Sequence, residues 1–274
     1  MHLYAGVLLP GGDLDHFSKV LDAYFLEVKF LYQYALQQTD KGDEFFLWGT
    51  CQGFQMLCAC AADSLSVVEP GFVDTACVMM PLNFTKEAEA SKMLGATTTP
   101  PHIVEAFKSY PSTLNVHRFG VTPATFLANP NVSSALVALS TNVDGKGREF
   151  VSTMEHRSAN IFDVQWHPEW SSPALRPRRP GACHPGSCSL CRLHALGHGV
   201  SCFICCRPPY DFSDARILKT EQSIAVTLHV SQFIRARLQR NTHHFRCSKA
   251  LERKVIERSP VTYEGFGWEL FWAR

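Results

Sequence analysis

The sequence is short of charge of either sign. Lys and Arg number 26 against 25 Asp and Glu, a formal net charge of +1, and charged residues fill 19% of the 274 positions. No global field therefore draws the chain to nucleic acid or to a membrane surface. Long apolar runs are missing as well: no stretch reaches the roughly 18 residues that a bilayer span requires. Met1-His2-Leu3-Tyr4 lacks the basic region and apolar stretch of a secretory signal. No internal repeat is visible. A hydrophobic share of 46% over this length suits one α/β domain with a real core, alone or with an appendage.

Cysteine, by contrast, is plentiful and uneven, with 11 in all. Cys51, Cys58, Cys60 and Cys77 lie in the first third, while Cys183, Cys188, Cys191, Cys202, Cys205 and Cys206 crowd one short stretch and Cys247 stands alone. An odd total leaves at least one thiol unpaired in a monomer. The two groups call for separate explanations.

The apolar run Tyr4 to Leu9, stopped by Pro10-Gly11-Gly12, reads as a buried parallel strand and a tight turn. A helical pattern follows through Phe17, Val20, Leu21, Tyr24, Phe25, Val28, Leu31 and Ala35. Asp13 and Asp15 are its candidate caps, and Lys41-Gly42-Asp43 ends it. Phe45-Phe46-Leu47-Trp48 reads as a second buried strand, running through Gly49-Thr50-Cys51-Gln52-Gly53 into another helical pattern. That rhythm predicts a doubly wound, flavodoxin-like, mostly parallel sheet flanked by helices. Further strands are expected within 77–85 and at Leu136–Leu139, Glu149–Met154 and Ile161–Trp166, with a hairpin turn at Asp144-Gly145. Residues 171–209 show no apolar period, and helical spacing resumes from Ser223 to Leu238. The last stretch, 246–274, is basic at first and aromatic at its end.

Gly49-Thr50-Cys51-Gln52-Gly53 is the most informative pentapeptide. A nucleophile on a strand-to-helix elbow occupies a strained backbone conformation, so small residues are needed two positions to either side. A helix N-terminus aimed at a sulfur favours the reactive thiolate, and the N–H of Gln52 would face a developing oxyanion. The competing reading is a buried structural cysteine beside two turn glycines. A nucleophilic cysteine also needs a base. Among the 12 histidines, His167 in Gln165-Trp166-His167-Pro168-Glu169 stands where a strand is expected to end, and Glu169 could hold its outer nitrogen. The competing reading there is a strand-end histidine satisfied by a carboxylate.

Gly-Thr-Cys-x-Gly-Phe together with Val-Gln-Trp-His-Pro-Glu is similar to gamma-glutamyl hydrolase, a branch of the glutamine-amidotransferase-like superfamily. Leu8–Gly12, Met80–Thr85, Thr141–Gly145, Phe150–Glu155, Pro209–Phe212 and Asn241–Phe245 resemble further runs of that family. The resemblance covers roughly residues 4–169 and 208–245. It implies cysteine-dependent cleavage of folyl and antifolyl poly-γ-glutamates through a thioester. In that reaction Cys51 would be the nucleophile, His167 the acid and base, and Glu169 the third member. Gln52 and a glycine of Gly11-Gly12 would form the oxyanion hole. His117 would line the substrate cleft, although a surface-loop histidine is an equal reading. Arg118 is a candidate contact for the anionic tail. Gln55 stands where relatives often carry Glu beside the nucleophile, a place that could bind the substrate amine. No cofactor and no nucleic-acid or membrane partner is implied, and a homodimer is compatible with the family. Its members are lysosomal, vacuolar or secreted, which would suit glycosylation at the sequons Asn83-Phe84-Thr85 and Asn131-Val132-Ser133.

The chain departs from the family in two further respects. It starts at the Pro-Gly-Gly strand, whereas the family has a strand, a helix and usually another strand earlier, so either impaired folding or a truncated gene model is expected. Residues 170–207 interrupt the match. Cys188-Ser-Leu-Cys191 and Cys202-Phe-Ile-Cys205, with His194 and His198 between them, read either as a short-looped zinc site or as a disordered insertion. The expected organisation is a hydrolase domain over 1–169 and 208–245, the insertion at 170–207, and an extension over 246–274. A glutaminase-type amidotransferase domain and a catalytically impaired relative are the competing functional readings.

Overall fold

Three strand ends set the architecture. The computed structural model describes residues 4–14, 18–171 and 216–244, and the backbone of 261–263 and 270–272. Strand β1 (Gly6–Leu9) pairs in parallel with β2 (Phe46–Thr50), and β2 pairs in parallel with β10 (Ile161–Val164). Leu9 lies opposite Gly49, and Val164 opposite Thr50. All three strands therefore end at one level, so Pro10-Gly11-Gly12, Cys51 and Gln165-Trp166-His167 emerge together at the carboxyl edge.

The rest of the sheet is antiparallel: β10 pairs with β9 (Glu149–His156), β9 with β8 (Leu136–Val143), and β8 with β5 (Asn83–Phe84). The six-stranded order is β1-β2-β10-β9-β8-β5, so the sheet is mixed, and the expected parallel character belongs to the half that carries the strand ends. The connections explain the change. Residues 144–148 and 157–160 are too short for the crossover that parallel neighbours need. The first of these is the expected hairpin. Asp144 Oδ1 closes it by accepting from the backbone N–H groups of Lys146 and Arg148 at 2.9 and 2.8 Å. Short pairs lie beside the main sheet: β3 (Glu69–Pro70) with β7 (Phe119–Gly120), and β4 (Ala76–Met80) with β6 (Thr113–Val116). Near the end, β11 (Val261–Tyr263) pairs with β12 (Leu270–Trp272).

Helices cover both faces. Helix α1 (Lys19–Asp40) buries Leu21, Val28, Tyr32, Ala35 and Gln38. Its cap is Ser18, whose side chain accepts from Leu21 N at 3.2 Å, rather than Asp13; Asp15 lies outside the described residues. Val20, expected in the apolar stripe, is 57% exposed. In α2 (Gln52–Ala62), 10 of 11 residues are buried. It is apolar nearly all round because it fills the space between α1 and the sheet. Phe45 and Leu47 pack toward α1 and α2, whereas Phe46 and Trp48 pack toward α3 (Pro101–Ser109) and α6 (Glu221–Leu238). Two short helices, α4 (Pro123–Ala128) and α5 (Pro130–Ala135), complete the α2 side. The cysteines from 183 to 206 and Cys247, together with the zinc and insertion readings, lie outside the described residues.

One core residue opposes stability. Asp163 on β10 is fully buried, and neither carboxyl oxygen has a partner among the described residues. Burial first, and then Glu155, push its pKa well up. A carboxyl raised in the folded state loses stability as pH climbs above its unfolded value. Asp163→Asn is therefore expected to raise the melting temperature at pH 7, with the gain shrinking toward pH 4. Thermal melts at both pH values check this, and an equal gain at each would contradict it.

Candidate active site

Cys51 caps α2 at φ 52° and ψ −105°, a conformation L residues avoid. The surroundings enforce it. A Cβ on Gly49 would lie 2.8 Å from the Gly53 carbonyl group, and one on Gly53 would lie 2.5 Å from Leu9 O. Strand β1 and helix α2 thus meet across the elbow, and only glycines let the backbones approach. Cys51 N donates to Val164 O at 2.8 Å, which fixes the elbow to β10.

The candidate base, His167, follows β10. His167 N donates to Leu114 O at 2.8 Å, and Pro168–Ser171 form one 3-10 turn. Thr227 Oγ1 of α6 donates to Pro168 O at 2.8 Å and ties this turn to the far helix layer. His167 Nδ1 lies 2.7 Å from Glu169 Oε1, and its ring packs on Trp170 at 4.9 Å. The Cys51 thiol donates to Val116 O at 3.6 Å, and it stands close enough to His167 to act on that ring's charge. Burial lowers the His167 pKa, but the Glu169 charge and then Cys51 outweigh it and lift the value to about 10. The imidazolium therefore persists at neutral pH. Burial pushes Cys58 well up, and Cys60 rises to about 12 for the same first reason.

The remaining expected site residues fall around this pair. A Cβ on Gly11 would lie 2.6 Å from His167 Cε1 and 3.3 Å from Cys51 Cβ, so Gly11 packs directly against both side chains. Gly12 packs against the Gln52 side chain. The N–H of Gln52 opens α2 beside the sulfur, where a helix leaves its first donors unused. His117 is buried; its Nδ1 donates to Phe119 O at 2.9 Å, and its Nε2 has no partner among the described residues. Burial lowers its pKa to about 4, and His167 adds to the lowering. At neutral pH it is an uncharged ring with an acceptor lone pair.

Gln55 lies one layer deeper than expected. Its amide nitrogen donates to Phe119 O at 2.9 Å and Gln165 Oε1 at 3.2 Å, which uses both of its N–H groups. It braces the carbonyl that also holds His117. Arg118 is exposed and pairs loosely with Asp13 at 3.4 Å. The two stand at a cleft of about 440 Å³ formed with Leu14, Pro70, Gly71, Phe72 and Phe119. Sequence reading missed Trp170, Thr227 and the Gln52 side chain. The one available hint was two glutamines, 52 and 55, in an otherwise apolar helix.

A thiol on a strained elbow, a buried histidine and its carboxylate stand together at the carboxyl edge of parallel strands in an α/β sheet, the groups that a nucleophilic cysteine requires. In sequence the chain is similar to gamma-glutamyl hydrolases. It is 34% identical over 166 residues to gamma-glutamyl hydrolase B of Dictyostelium discoideum, covering 61% of this chain and 46% of that one. The gamma-glutamyl hydrolase of Rattus norvegicus is 35% identical over 169 residues, 60% of this chain and 49% of that one. The Homo sapiens enzyme of the same name is 26% identical over 265 residues, 95% of this chain and 68% of that one. The chain thus spans about half to two thirds of the length of these curated relatives. No family model matches it. Among solved structures, a GMP synthase subunit from Thermoplasma acidophilum is similar at 12% identity and a TM-score of 0.33, covering 60% of this chain and 63% of that one.

Proposed function

We propose that this protein hydrolyses γ-glutamyl bonds in folyl poly-γ-glutamates through a Cys51 thioester, on a flavodoxin-like domain formed by residues 1–169 and 208–245. The observation that carries the proposal is the strained Cys51 elbow set beside a buried histidine that Glu169 holds at 2.7 Å. The thiolate attacks the γ-carbonyl carbon, and the oxygen gains negative charge facing the N–H of Gln52 and the Gly11-Gly12 backbone. His167 carries the proton that the leaving amine needs as the C–N bond breaks. The same ring, now neutral, takes a proton from water, which adds to the thioester and releases the γ-glutamyl acid.

The substrate side follows from charge and hydrogen bonding. The bare Nε2 of His117 accepts an N–H from the substrate. Arg118 meets a tail carboxylate at the neighbouring cleft by displacing Asp13, an exchange that costs little because an exposed pair contributes only about 0 to 1 kcal/mol. The lysosome, vacuole or extracellular space belongs to the same proposal; no described helix is long and apolar enough to cross a membrane.

The test is glutamate or γ-glutamyl peptide release from folate pentaglutamate by the purified chain, with free glutamine as the competing substrate. Loss of turnover when Cys51 alone is alkylated is the expected result. Turnover of glutamine only, or of the pentaglutamate after Cys51 is blocked, would overturn the reading.

A further inference from the structure

The residue after the nucleophile has a second use. Gln52 is 3% exposed, and its side chain turns away from the helix toward the segment that follows β1. Its Nε2 donates to Leu14 O at 3.0 Å, and its Oε1 accepts from Leu14 N at 3.4 Å. An amide that engages both backbone groups of one residue behaves as an extra rung of a strand ladder. The same Oε1 stands 2.5 Å from where a Cβ on Gly12 would be, so the side chain lies across the backbone of Gly12. The chain between Leu9 and Leu14 is therefore anchored at its near end by β1 and at its far end by the Gln52 amide.

We infer that the Gln52 side chain is a positioning residue, which locks the 10–14 segment so that the glycine N–H and the N–H of Gln52 itself face one oxyanion. This inference rests on the proposed hydrolase reading of the site. Both donors are backbone groups, one on α2 and one on a loop without regular structure. The helix donor is fixed by its own ladder. The loop donor has no such ladder, and the Gln52 side chain supports it from the helix. One residue thus contributes a donor through its main chain and orients the other through its amide.

Gln52→Met keeps the main-chain N–H, the length and the helix propensity but removes both hydrogen bonds. In this variant kcat for pentaglutamate should fall about 10- to 100-fold, the effect of a small displacement of a catalytic group. KM should stay within about twofold. Alkylation of Cys51 by iodoacetamide, followed on its own peptide by mass spectrometry, involves no oxyanion and should keep its rate. Gln52→Glu should recover part of the lost activity as pH falls toward 5, where a protonated carboxyl can again donate to Leu14 O. Amide exchange over residues 8–14 should rise in Gln52→Met while that of α2 does not. An unchanged kcat, a parallel loss of Cys51 alkylation, or unaltered exchange over 8–14 would overturn the inference. Absence of turnover in the wild-type chain would instead count against the hydrolase reading, and the exchange measurement would still decide whether Gln52 holds the segment.

Discussion

Glu169→Gln should lower kcat/KM by about 100- to 10,000-fold and move the alkaline limb of the pH–rate profile to lower pH. His167 is buried, and burial alone would make it an easily deprotonated ring. The carboxylate at 2.7 Å reverses that and holds the pKa at about 10. Glutamine accepts the same hydrogen bond without the charge, so burial then prevails and the imidazolium is lost nearer neutrality. The leaving amine is deprived of its proton donor first at high pH, which is why the limb moves in that direction. Stability carries the same signature. A group raised above its unfolded value stabilises fully below about pH 6.5 and loses that contribution as pH rises through about 10. The wild-type chain should show this decline in thermal melts, and Glu169→Gln should not. An alkaline limb identical in the two proteins would remove Glu169 from the mechanism.

Glu155→Ala should destabilise the fold by about 3–5 kcal/mol, the effect of removing one partner from a buried charged cluster. Glu155 is 5% exposed on β9. It accepts from Ser91 Oγ at 2.9 Å and from the backbone N–H groups of Lys92 and Met93 at 3.0 and 3.2 Å. Lys92 Nζ in turn donates to the carbonyls of His156 and Ala159 at 2.6 and 3.1 Å. The cluster anchors the turn that inserts Met93 and Leu94 beneath α6. Alanine leaves Ser91 Oγ and the Lys92 N–H without their acceptor, while the Met93 N–H keeps Ser91 Oγ at 2.9 Å. Urea unfolding measures the loss, and Glu155→Gln, which keeps the shape and one acceptor, should fall between the two. The cluster does not touch Cys51 or His167, so the pH–rate profile of folded Glu155→Ala should match the wild type. A loss below about 1 kcal/mol would contradict the assignment.

Much of the site was legible in the chain because its chemistry is encoded locally. Gly49-Thr50-Cys51-Gln52-Gly53 is a backbone requirement as much as a motif: Gly49 is where β2, and Gly53 where β1, would otherwise collide with α2. His167 and Glu169 are two residues apart, so their contact needs only a turn after a strand. Val20 and Asp13 misled for the opposite reason. Apolar spacing marked a helix but not which edge of its stripe stays in solvent, and Ser18, one residue before the helix, outcompeted a more distant carboxylate for its N–H groups.

By itself the sequence determined the buried strands, the strained Cys51 turn and the histidine–glutamate pair, because each is set by residues within a few positions of one another. Only the tertiary structure decided that β10 runs antiparallel to β9, that Gln55 lies behind His117 instead of lining the cleft, and that Gln52 reaches back to Leu14. The two glutamine contacts join residues 38 to 110 positions apart. Their partners are selected by which strand ends the hydrophobic core brings level, and no local pattern records that.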